Sequence, residues 1–319
     1  MIGVAPSFAP AAGRWMAEVH DALTAFFVAM DGGGSFTEER WERPGGGGGV
    51  SRVLLEGHTF EQSGVNRSEV TGVLERGMAG RLALAAPPPE GARFFATGVS
   101  MVTHPRSPLI PTVHLNVRYF ELTTPDGEPF DAWFGGGTDL TPTWPCPDDA
   151  RHWHRTLAEL CDRHDPVFYP RFKAWCDDYF RNTHRGGEAR GVGGVFFDHL
   201  RPGREGLPER AELAAFVDAI GRALPAAYGP IVDRHRDEPW GERERTLQLV
   251  RRGRYVEFNL LHDRGTHFGL QSGARVESIL MSLPPLARWS YGSAPQPGSP
   301  EAALSAMLVP QDWVSDTSY

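Results

Sequence analysis

Two predicted strands and a proline-rich turn form the stretch Gly98-Val-Ser-Met-Val-Thr-His-Pro-Arg-Ser-Pro-Leu-Ile-Pro-Thr-Val-His-Leu-Asn-Val-Arg-Tyr-Phe-Glu-Leu122, on which the expected fold rests. Its second strand alternates apolar residues (Val113, Leu115, Val117, Tyr119) with mostly polar ones (His114, Asn116, Arg118, Phe120). Side chains of a strand change face at every residue, so one face is apolar and the other carries an imidazole, an amide and a guanidinium. The same parity places Ser100 and His104 on one face of the first strand.

Two interpretations of this polar face fit the pattern. The solvated face of an antiparallel sheet is also polar, and it needs no ligand. A solvated face usually carries Lys, Glu and Thr, however, whereas His, Asn, Arg and Ser bind anions, metals or exchangeable protons. The residue types therefore favour a binding face on an antiparallel sheet.

The composition limits the classes of protein that fit. The chain has 319 residues, 40% of them hydrophobic, and a formal net charge of -8. We expect a single domain over residues 1–319, in which residues 1–40 form an N-terminal helix and a variable lead-in. The negative charge argues against nucleic acid or an anionic membrane as a partner. No apolar run approaches the roughly 20 residues of a membrane span.

The cysteines indicate the compartment. Cys146, Cys161 and Cys176 are odd in number and form no Cys-x-x-Cys pair. This predicts free thiols in a reducing compartment, used mainly in packing, rather than a disulfide scaffold or a zinc ribbon. The first residues lack the basic and long apolar regions of a secretory signal. We therefore expect a cytoplasmic protein.

Sheet segments and helices interleave along the chain without a regular period. Helical spacing or capping residues predict helices at Arg14–Met30, after Asp148-Asp149, and at Pro166–Thr183, Ala211–Tyr228 and Pro300–Trp313. Apolar or alternating runs predict further strands at Val50–Leu55, Phe60–Asn66, Phe130–Phe134, Gly191–Leu200, Tyr255–Leu261 and Ile279–Leu283. This order predicts an α+β fold, in which helices flank a large, mainly antiparallel sheet on both faces.

Two glycine runs interrupt the strands. Gly45 to Gly49 are either a flexible linker or a loop whose bare backbone approaches a ligand, and no Gly-Lys-Ser/Thr follows to make a phosphate loop. Gly135 to Gly137 precede Asp139, which suggests a tight turn that presents this carboxylate.

The chain resembles the oxygen-dependent coproporphyrinogen III oxidases from Trp41 to Val314. The resemblance is carried by Gly45–Asn66, Gly98–Phe120, Trp133–Pro142, His152–Thr156, Tyr169–His184, Arg190–Asp198 and Arg251–Trp289. It implies a homodimeric enzyme of haem synthesis that converts the propionates on rings A and B of coproporphyrinogen III to vinyl groups. Such enzymes consume O2 as co-substrate and release CO2 and H2O2. It also implies that a strand at Tyr255 and the segment after it, about 255–290, contribute to the dimer contact.

The resemblance also implies the site residues. The substrate-binding serine corresponds to Ser100 and the proton-donating histidine to His114, with further substrate contacts at Asn116, Val117, Arg118, Gly273, Ala274 and Arg275. Ala274 stands where the family usually has glycine. Bacterial relatives are described as binding a divalent metal cation through four histidines, which correspond to His104, His114, His154 and His184. Other descriptions of the family need neither a metal nor an organic cofactor, so both alternatives stay open.

The expected chemistry requires particular groups. A substrate with four carboxylates needs forked donors, and Arg118 and Arg275 can each contribute about 1.5 to 3 kcal/mol, unless they form structural ion pairs. A carboxylate near the pyrrole nitrogens has to accept a proton. Asp263 is the first candidate for this acceptor. Asp139 is the second, and it is also counted among the substrate-binding residues. His114 is expected to relay protons.

Two other functions remain in view. One is a tetrapyrrole-binding protein that uses the same basin without chemistry, and the other is a metal-dependent oxygenase with a different substrate. The spacing of a non-haem iron site occurs only in His235-Arg236-Asp237. Because that triplet lies in a highly charged stretch, a solvated helix end is the preferred interpretation of it.

Overall fold

The computed structural model describes residues 7–80, 82, 84, 86–271, 275–292 and 295–315. The strands are β1 (Thr37–Glu42), β2 (Gly47–Leu55), β3 (Phe60–Val73), β4 (Arg93–Pro105), β5 (Thr112–Thr123), β6 (Pro129–Thr141), β7 (Arg181–Asn182), β8 (Glu188–Ala189) and β9 (Gly193–Leu200). The helices are α1 (Ala9–Asp31), α2 (Arg76–Ala79), α3 (Pro147–Asp162), α4 (Phe168–Tyr179), α5 (Arg210–Gly221), α6 (Leu224–Ala227), α7 (Gly229–His235), α8 (Glu242–Leu261), α9 (Arg264–Gln271), α10 (Val276–Leu280) and α11 (Pro300–Met307).

A seven-stranded sheet with the order β1-β2-β3-β4-β5-β6-β9 organises the described part of the chain. Every neighbouring pair is antiparallel. The predicted α+β class is therefore confirmed, and the opening stretch forms the central hairpin β4–β5. Each strand returns beside its predecessor from β1 to β6, and short turns make all of these connections except β3–β4, which contains α2.

The apolar face of this sheet is covered by α1 and α5. Its centre consists of side chains from β4 and β5 that the alternation predicted, such as Val99, Leu115 and Val117, all of them inaccessible to solvent. Helix α1 presents Met16, Val19, Leu23 and Phe27 to this face at spacings of three and four residues. Burial of each such side chain contributes about 1.5 to 3 kcal/mol.

The N-terminal helix belongs to the same core as the sheet. It has a proline in its first turn. Gly32 caps its C-terminal end, because a left-handed φ of 80° lets the Gly32 N–H bond the Val28 carbonyl. β1, at the end of the predicted lead-in, pairs with β2 as the outermost strand. Whether residues 1–319 form one domain stays a prediction, but α1 and β1 both pack within the main unit.

The polar face is covered in part by the chain after α9. The Ser278 hydroxyl in α10 lies 2.8 Å from that of Ser51 in β2, and the Gln62 amide of β3 donates to the Met281 carbonyl at 2.8 Å. Helix α4 packs along the edge strand β9, where Tyr179 stacks on Phe196 with 4.4 Å between ring centroids. Helices therefore lie on both faces, as predicted.

The structure contradicts the tight turn expected at Gly135 to Gly137 and the flexible linker considered for Gly45 to Gly49, while the approach of the latter run to a ligand stays a prediction. Gly135 to Gly137 continue the extended strand β6 and form no tight turn. A Cβ at Gly135 would lie 2.6 Å from Nε of Arg118, so the absent side chain makes room for a guanidinium on the neighbouring strand. In the first run, Gly46 and Gly47 adopt left-handed φ values of 110° and 83° at the β1–β2 turn, and Gly47 to Gly49 begin β2.

Two predicted strands are helical. Tyr255–Leu261 is the last part of α8, and Ile279–Leu283 overlaps α10. The buried positions of α8 recur with helical spacing, but several of them are polar, so the hydrophobic period is hidden: Gln248, Arg251, Arg252, Tyr255, Phe258 and Asn259. The expected dimer strand at Tyr255 is therefore a helix.

Candidate active site

The predicted polar face exists and spans β3 to β6. Ser100 stands opposite Asn66 on β3 and Asn116 on β5, and Val102 stands opposite His114. Residues directly opposite each other share a face, so Ser100, His114, Asn116 and Arg118 lie side by side as predicted. The hydroxyl of Ser100 has no hydrogen-bond partner among the described residues, and its side chain is half-buried.

A chain of two charged residues, Asp139 and Arg190, holds His114 in place. Its Nδ1 lies 2.8 Å from Oδ1 of Asp139, the residue opposite it on β6. Both oxygens of Asp139 accept from Nη2 of Arg190, at 2.9 and 2.7 Å. Burial alone would raise the pKa of Asp139, but Arg190 and His114 outweigh it, so the pKa is lowered and the carboxylate stays ionised. Nε2 of His114 has no partner among the described residues, and the side chain is 21% exposed.

Aromatic rings enclose Arg190. Its guanidinium carbon lies 4.1 Å from the ring centre of Phe180, 4.6 Å from that of Tyr255 and 4.8 Å from that of Phe258. Its Nη1 donates to Asn259 at 2.9 Å. The side chain is only 3% exposed, and although burial opposes its charge, Asp139 raises its pKa above the ordinary arginine value. This arginine is a permanent buried cation that fixes Asp139 and, through it, the ring of His114.

Arg118 is the most accessible cation of the face, with a side-chain exposure of 36%. Its Nη1 donates to Asn116 at 2.6 Å, and its Nη2 lies 3.0 Å from Asp198 at the end of β9. Burial opposes the charge of Asp198, but Arg118 and His199 lower its pKa well below the usual range. An incoming carboxylate therefore meets a guanidinium that one protein carboxylate already holds in place.

Asp263 lies at the rim of the site and has a structural role. It directly precedes α9 and accepts from the backbone N–H of Thr266 at 2.7 Å, as an N-cap residue does. Its other oxygen accepts from the Tyr179 hydroxyl at 2.9 Å. The adjacent Arg264 lies over the Tyr179 ring, 4.8 Å from its centre. The carboxylate that contacts His114 is that of Asp139, the second candidate for the proton acceptor.

Two of the four predicted metal ligands are deeply buried. Nε2 of His104 lies 2.9 Å from the Ser282 carbonyl, and its other nitrogen contacts a threonine hydroxyl at 3.3 Å. His154 lies 3.0 Å from the Tyr169 hydroxyl through Nδ1 and 3.0 Å from the Val192 carbonyl through Nε2. Burial lowers the pKa of each ring to about 3. These are neutral core histidines with both nitrogens in use.

The other two lie in different surroundings. His184 bonds His262 at 2.7 Å and Glu257 at 2.9 Å, in a surface cluster where Glu257 also accepts from Arg185. Burial would raise the pKa of Glu257, but its bonds to Arg185 and His184 lower that pKa to about 2. Among the described residues, which include all four histidines, no three of them have ligand atoms within 4.8 Å of one another. The four rings do not fit one metal ion, and we derive no step through such an ion.

The remaining predicted contacts have different outcomes. The side chain of Val117 belongs to the core on the opposite face, so only its backbone could reach a ligand on the polar face. Arg275 lies over the β1 edge, where it pairs with Glu39 at 2.6 Å and Glu277 at 3.3 Å. The structural ion pair is thus the observed state of Arg275. Gly273 and Ala274 lie outside the described residues.

Sequence reasoning missed two residues of the site. From the sequence, Arg190 was only the first residue of a segment that resembles the family, and Asp198 was only part of a predicted buried strand. A lone carboxylate in the apolar run Val192–Leu200 was a usable signal, because an unpaired acid is rarely buried. The position of Arg190 had no such signal, since only the fold brings it beside Asp139.

A family model described as coproporphyrinogen III oxidase matches residues 12–313. The chain belongs to the coproporphyrinogen III oxidase family. Membership implies an enzyme with a role in porphyrin biosynthesis, and a tetrapyrrole substrate fits the cationic and hydrogen-bonding groups of the polar face. Among the described residues, no helix is both long and apolar enough to cross a bilayer.

Proposed function

We propose that this member of the coproporphyrinogen III oxidase family uses O2 to convert the ring A and ring B propionates of coproporphyrinogen III to vinyl groups, giving protoporphyrinogen IX. At each propionate the β-carbon gives up a hydrogen with two electrons, and the carboxylate leaves as CO2. O2 accepts the two electrons, that hydrogen and one further proton, and leaves as H2O2. The observation that carries the proposal is the chain His114–Asp139–Arg190 beside Arg118 and Asn116 on one accessible sheet face.

Arg118 is the group proposed to hold a propionate. A carboxylate at its exposed edge would receive charge-assisted hydrogen bonds, each about twice as strong as a neutral one. Asn116 fixes the other side of the guanidinium, and Ser100, whose hydroxyl has no partner within the described part of the chain, stands opposite Asn116 on β4. The substrate would thus be oriented with the reacting side chain near His114.

His114 is proposed to transfer the protons. Asp139 occupies its Nδ1 side, so the partially exposed Nε2 is the nitrogen that faces a ligand. Because Arg190 keeps Asp139 ionised, that carboxylate holds the ring of His114 in one orientation through Nδ1. The electron-rich porphyrinogen itself would supply the electrons for O2, so this scheme assigns no organic cofactor.

Asp263 remains the proposed acceptor of the pyrrole proton. Its replacement by Asn tests the charge alone, because Asn caps helices about as well as Asp and can preserve the bond to Thr266. We expect Asp263→Asn to bind substrate normally and to lose most of its turnover. Near-normal turnover of this variant would reduce Asp263 to its capping role and leave Asp139 as the candidate.

A homodimer in a reducing, cytoplasmic compartment completes the proposal. Large apolar side chains between residues 260 and 291 are unusually exposed, with Leu261, Leu286 and Trp289 each at 55%. Such a concentration is typical of a surface that binds another chain. The cysteines are free, as a reducing compartment requires. Light scattering of Leu286→Asp against the unmodified chain tests this surface, and an unchanged mass for both would contradict it.

The decisive experiment is incubation of the purified chain with coproporphyrinogen III in air, without O2, and in air with a chelator. We expect protoporphyrinogen IX and H2O2 in both aerobic samples and neither product without O2. Tight binding without conversion in air would indicate a tetrapyrrole-binding protein instead. Activity that disappears with chelator and returns with iron would indicate a metal-dependent oxygenase.

A further inference from the structure

A second cluster of reactive side chains lies away from the sheet face, where α7 ends against the start of α3. A cavity of about 310 Å³ opens there, and its wall includes Trp144, Cys146, His235 and Glu238. Sequence analysis took His235 for part of a solvated helix end. The structure contradicts this, since the His235 side chain is only 8% exposed and bonds carboxylates from two different segments.

The cluster has the donor set of a metal site. One ligand atom each from Cys146, Asp149 and His235 lies within 4.8 Å of the other two. Zinc binds sulfur at about 2.3 Å and nitrogen or oxygen at about 2.0 to 2.2 Å, so ligand atoms in a tetrahedral site are about 3 to 4 Å apart. Small side-chain adjustments would bring the three atoms to that separation. Thiolate, imidazole and carboxylate together are a borderline-soft set, which suits zinc better than calcium or magnesium.

His235 is already oriented as metal-binding histidines are. Its Nδ1 lies 2.7 Å from Glu238 and its Nε2 lies 2.8 Å from Asp149. In metal sites the ring nitrogen away from the metal usually donates to a carboxylate, which fixes the tautomer and directs the other nitrogen at the ion. Glu238 supplies that carboxylate here. Nε2, which lies beside Asp149, is therefore the nitrogen that is directed at the ion.

The local charge also favours a cation. Asp149 and Glu238 are both carboxylates, and Cys146 stands at the N-terminus of α3. Arg234 neutralises only part of this charge, through its bond to Asp149.

We propose that Cys146, Asp149 and His235 bind one divalent cation of the zinc class, with the fourth coordination position facing the cavity. Three protein ligands and an open position distinguish such a site from a closed structural one. The site shares no residue with the polar face and does not depend on the function proposed there.

The test uses the full chain, stripped with a chelator and titrated with Co²⁺, which reports thiolate ligation through a near-ultraviolet charge-transfer band. We expect one Co²⁺ per chain, this band, and displacement by Zn²⁺. Zn²⁺ should also protect Cys146 from alkylation. The buried Cys161 and Cys176 should be alkylated in neither the metal-free nor the Zn²⁺-loaded chain. Cys146→Ser should abolish the band, because it keeps the size of the side chain and removes the sulfur.

Graded variants distinguish ligands from neighbours. We expect His235→Gln to lower the Co²⁺ affinity by more than about 100-fold, and Glu238→Gln by about 10-fold, as for a residue that only orients a ligand. The matched control is His152→Gln, a half-buried histidine of α3 that bonds the Ala226 carbonyl and should leave the affinity unchanged. Co²⁺ binding without the band, or with equal affinity in Cys146→Ser and the unmodified chain, would overturn the proposal. Circular dichroism verifies that each variant is folded.

Discussion

Two clusters in this chain have the same three residue types and different surroundings. On the sheet face His114 bonds Asp139, which bonds Arg190, and at the start of α3 His235 bonds Asp149, which bonds Arg234. In the first cluster the arginine is buried and one histidine nitrogen faces outward. In the second, carboxylates hold both histidine nitrogens and the arginine is 40% exposed.

The position of the arginine separates the two clusters. Arg190 is a buried cation that keeps Asp139 ionised, and Nε2 of His114 has no partner among the described residues. Carboxylates bond both nitrogens of His235, so the ring is held as a cation until another positive charge replaces its proton. We therefore propose proton transfer for the first cluster and cation binding for the second.

The largest effect is expected for the free nitrogen of the first cluster. Replacing His114 by Gln should lower kcat for coproporphyrinogen III by about 100- to 10,000-fold, the usual contribution of a proton-transferring group. Thermal stability should change little, since the ring is partly exposed. Steady-state kinetics measure this, with His152→Gln as a histidine control elsewhere in the fold. Equal rates for the two variants would remove His114 from the proton-transfer role.

The next effect concerns stability and separates the two arginines. Asp139→Asn leaves the Arg190 charge buried without a compensating anion, which should cost about 3 to 5 kcal/mol of unfolding free energy. Asp149→Asn should cost only about 1 to 2 kcal/mol, because Arg234 can be solvated and His235, unlike an arginine, can release its proton. Urea unfolding measures both. If the two losses are equal, burial of the arginine is not what distinguishes the clusters.

A smaller effect tests whether the face beside His114 binds carboxylates. Arg118→Ala should raise KM by about 10- to 100-fold, as expected for the loss of hydrogen bonds worth about 1.5 to 3 kcal/mol. Arg222→Ala is a matched control, because that side chain is similarly exposed, at 39%, and pairs with Asp218. A KM that rises equally in both variants would point to general charge rather than to a substrate contact.

The smallest effect is the pH dependence of the second cluster in chelator-treated protein. His235 has a raised folded pKa of about 10 against 6.5 for the free side chain, because its bonds to Asp149, Cys146 and Glu238 outweigh the opposing effect of burial. Its stabilising contribution is therefore complete below pH 6.5 and is lost as the pH rises through about 10. We expect the stability difference between the unmodified chain and His235→Gln, on the order of 1 kcal/mol, to shrink over this interval. A difference that does not vary with pH from 6 to 10 would contradict the assignment.

Local patterns predicted much of the fold. The alternation from Val113 to Phe120 predicted both the strand and its two faces, and the spacing in Arg14–Met30 predicted a helix observed at Ala9–Asp31. The two wrong strand predictions have one physical cause, which is that burial was inferred from apolar residues. In α8 the inward positions include Arg251 and Arg252, whose charges pair with Glu188 and Glu61, so a helix was taken for a strand.

From the sequence alone came the α+β class, the polar face, and the positions of Ser100, His114, Asn116 and Arg118 on it, because these follow from the period of two along a strand and from motifs that are continuous in the chain. The folded structure was needed to show that Arg190 supports Asp139, that the four histidines lie apart, and that Cys146 lies beside His235. Those relations join residues distant in the chain, and their energies depend on burial and on separations in space that no local pattern contains.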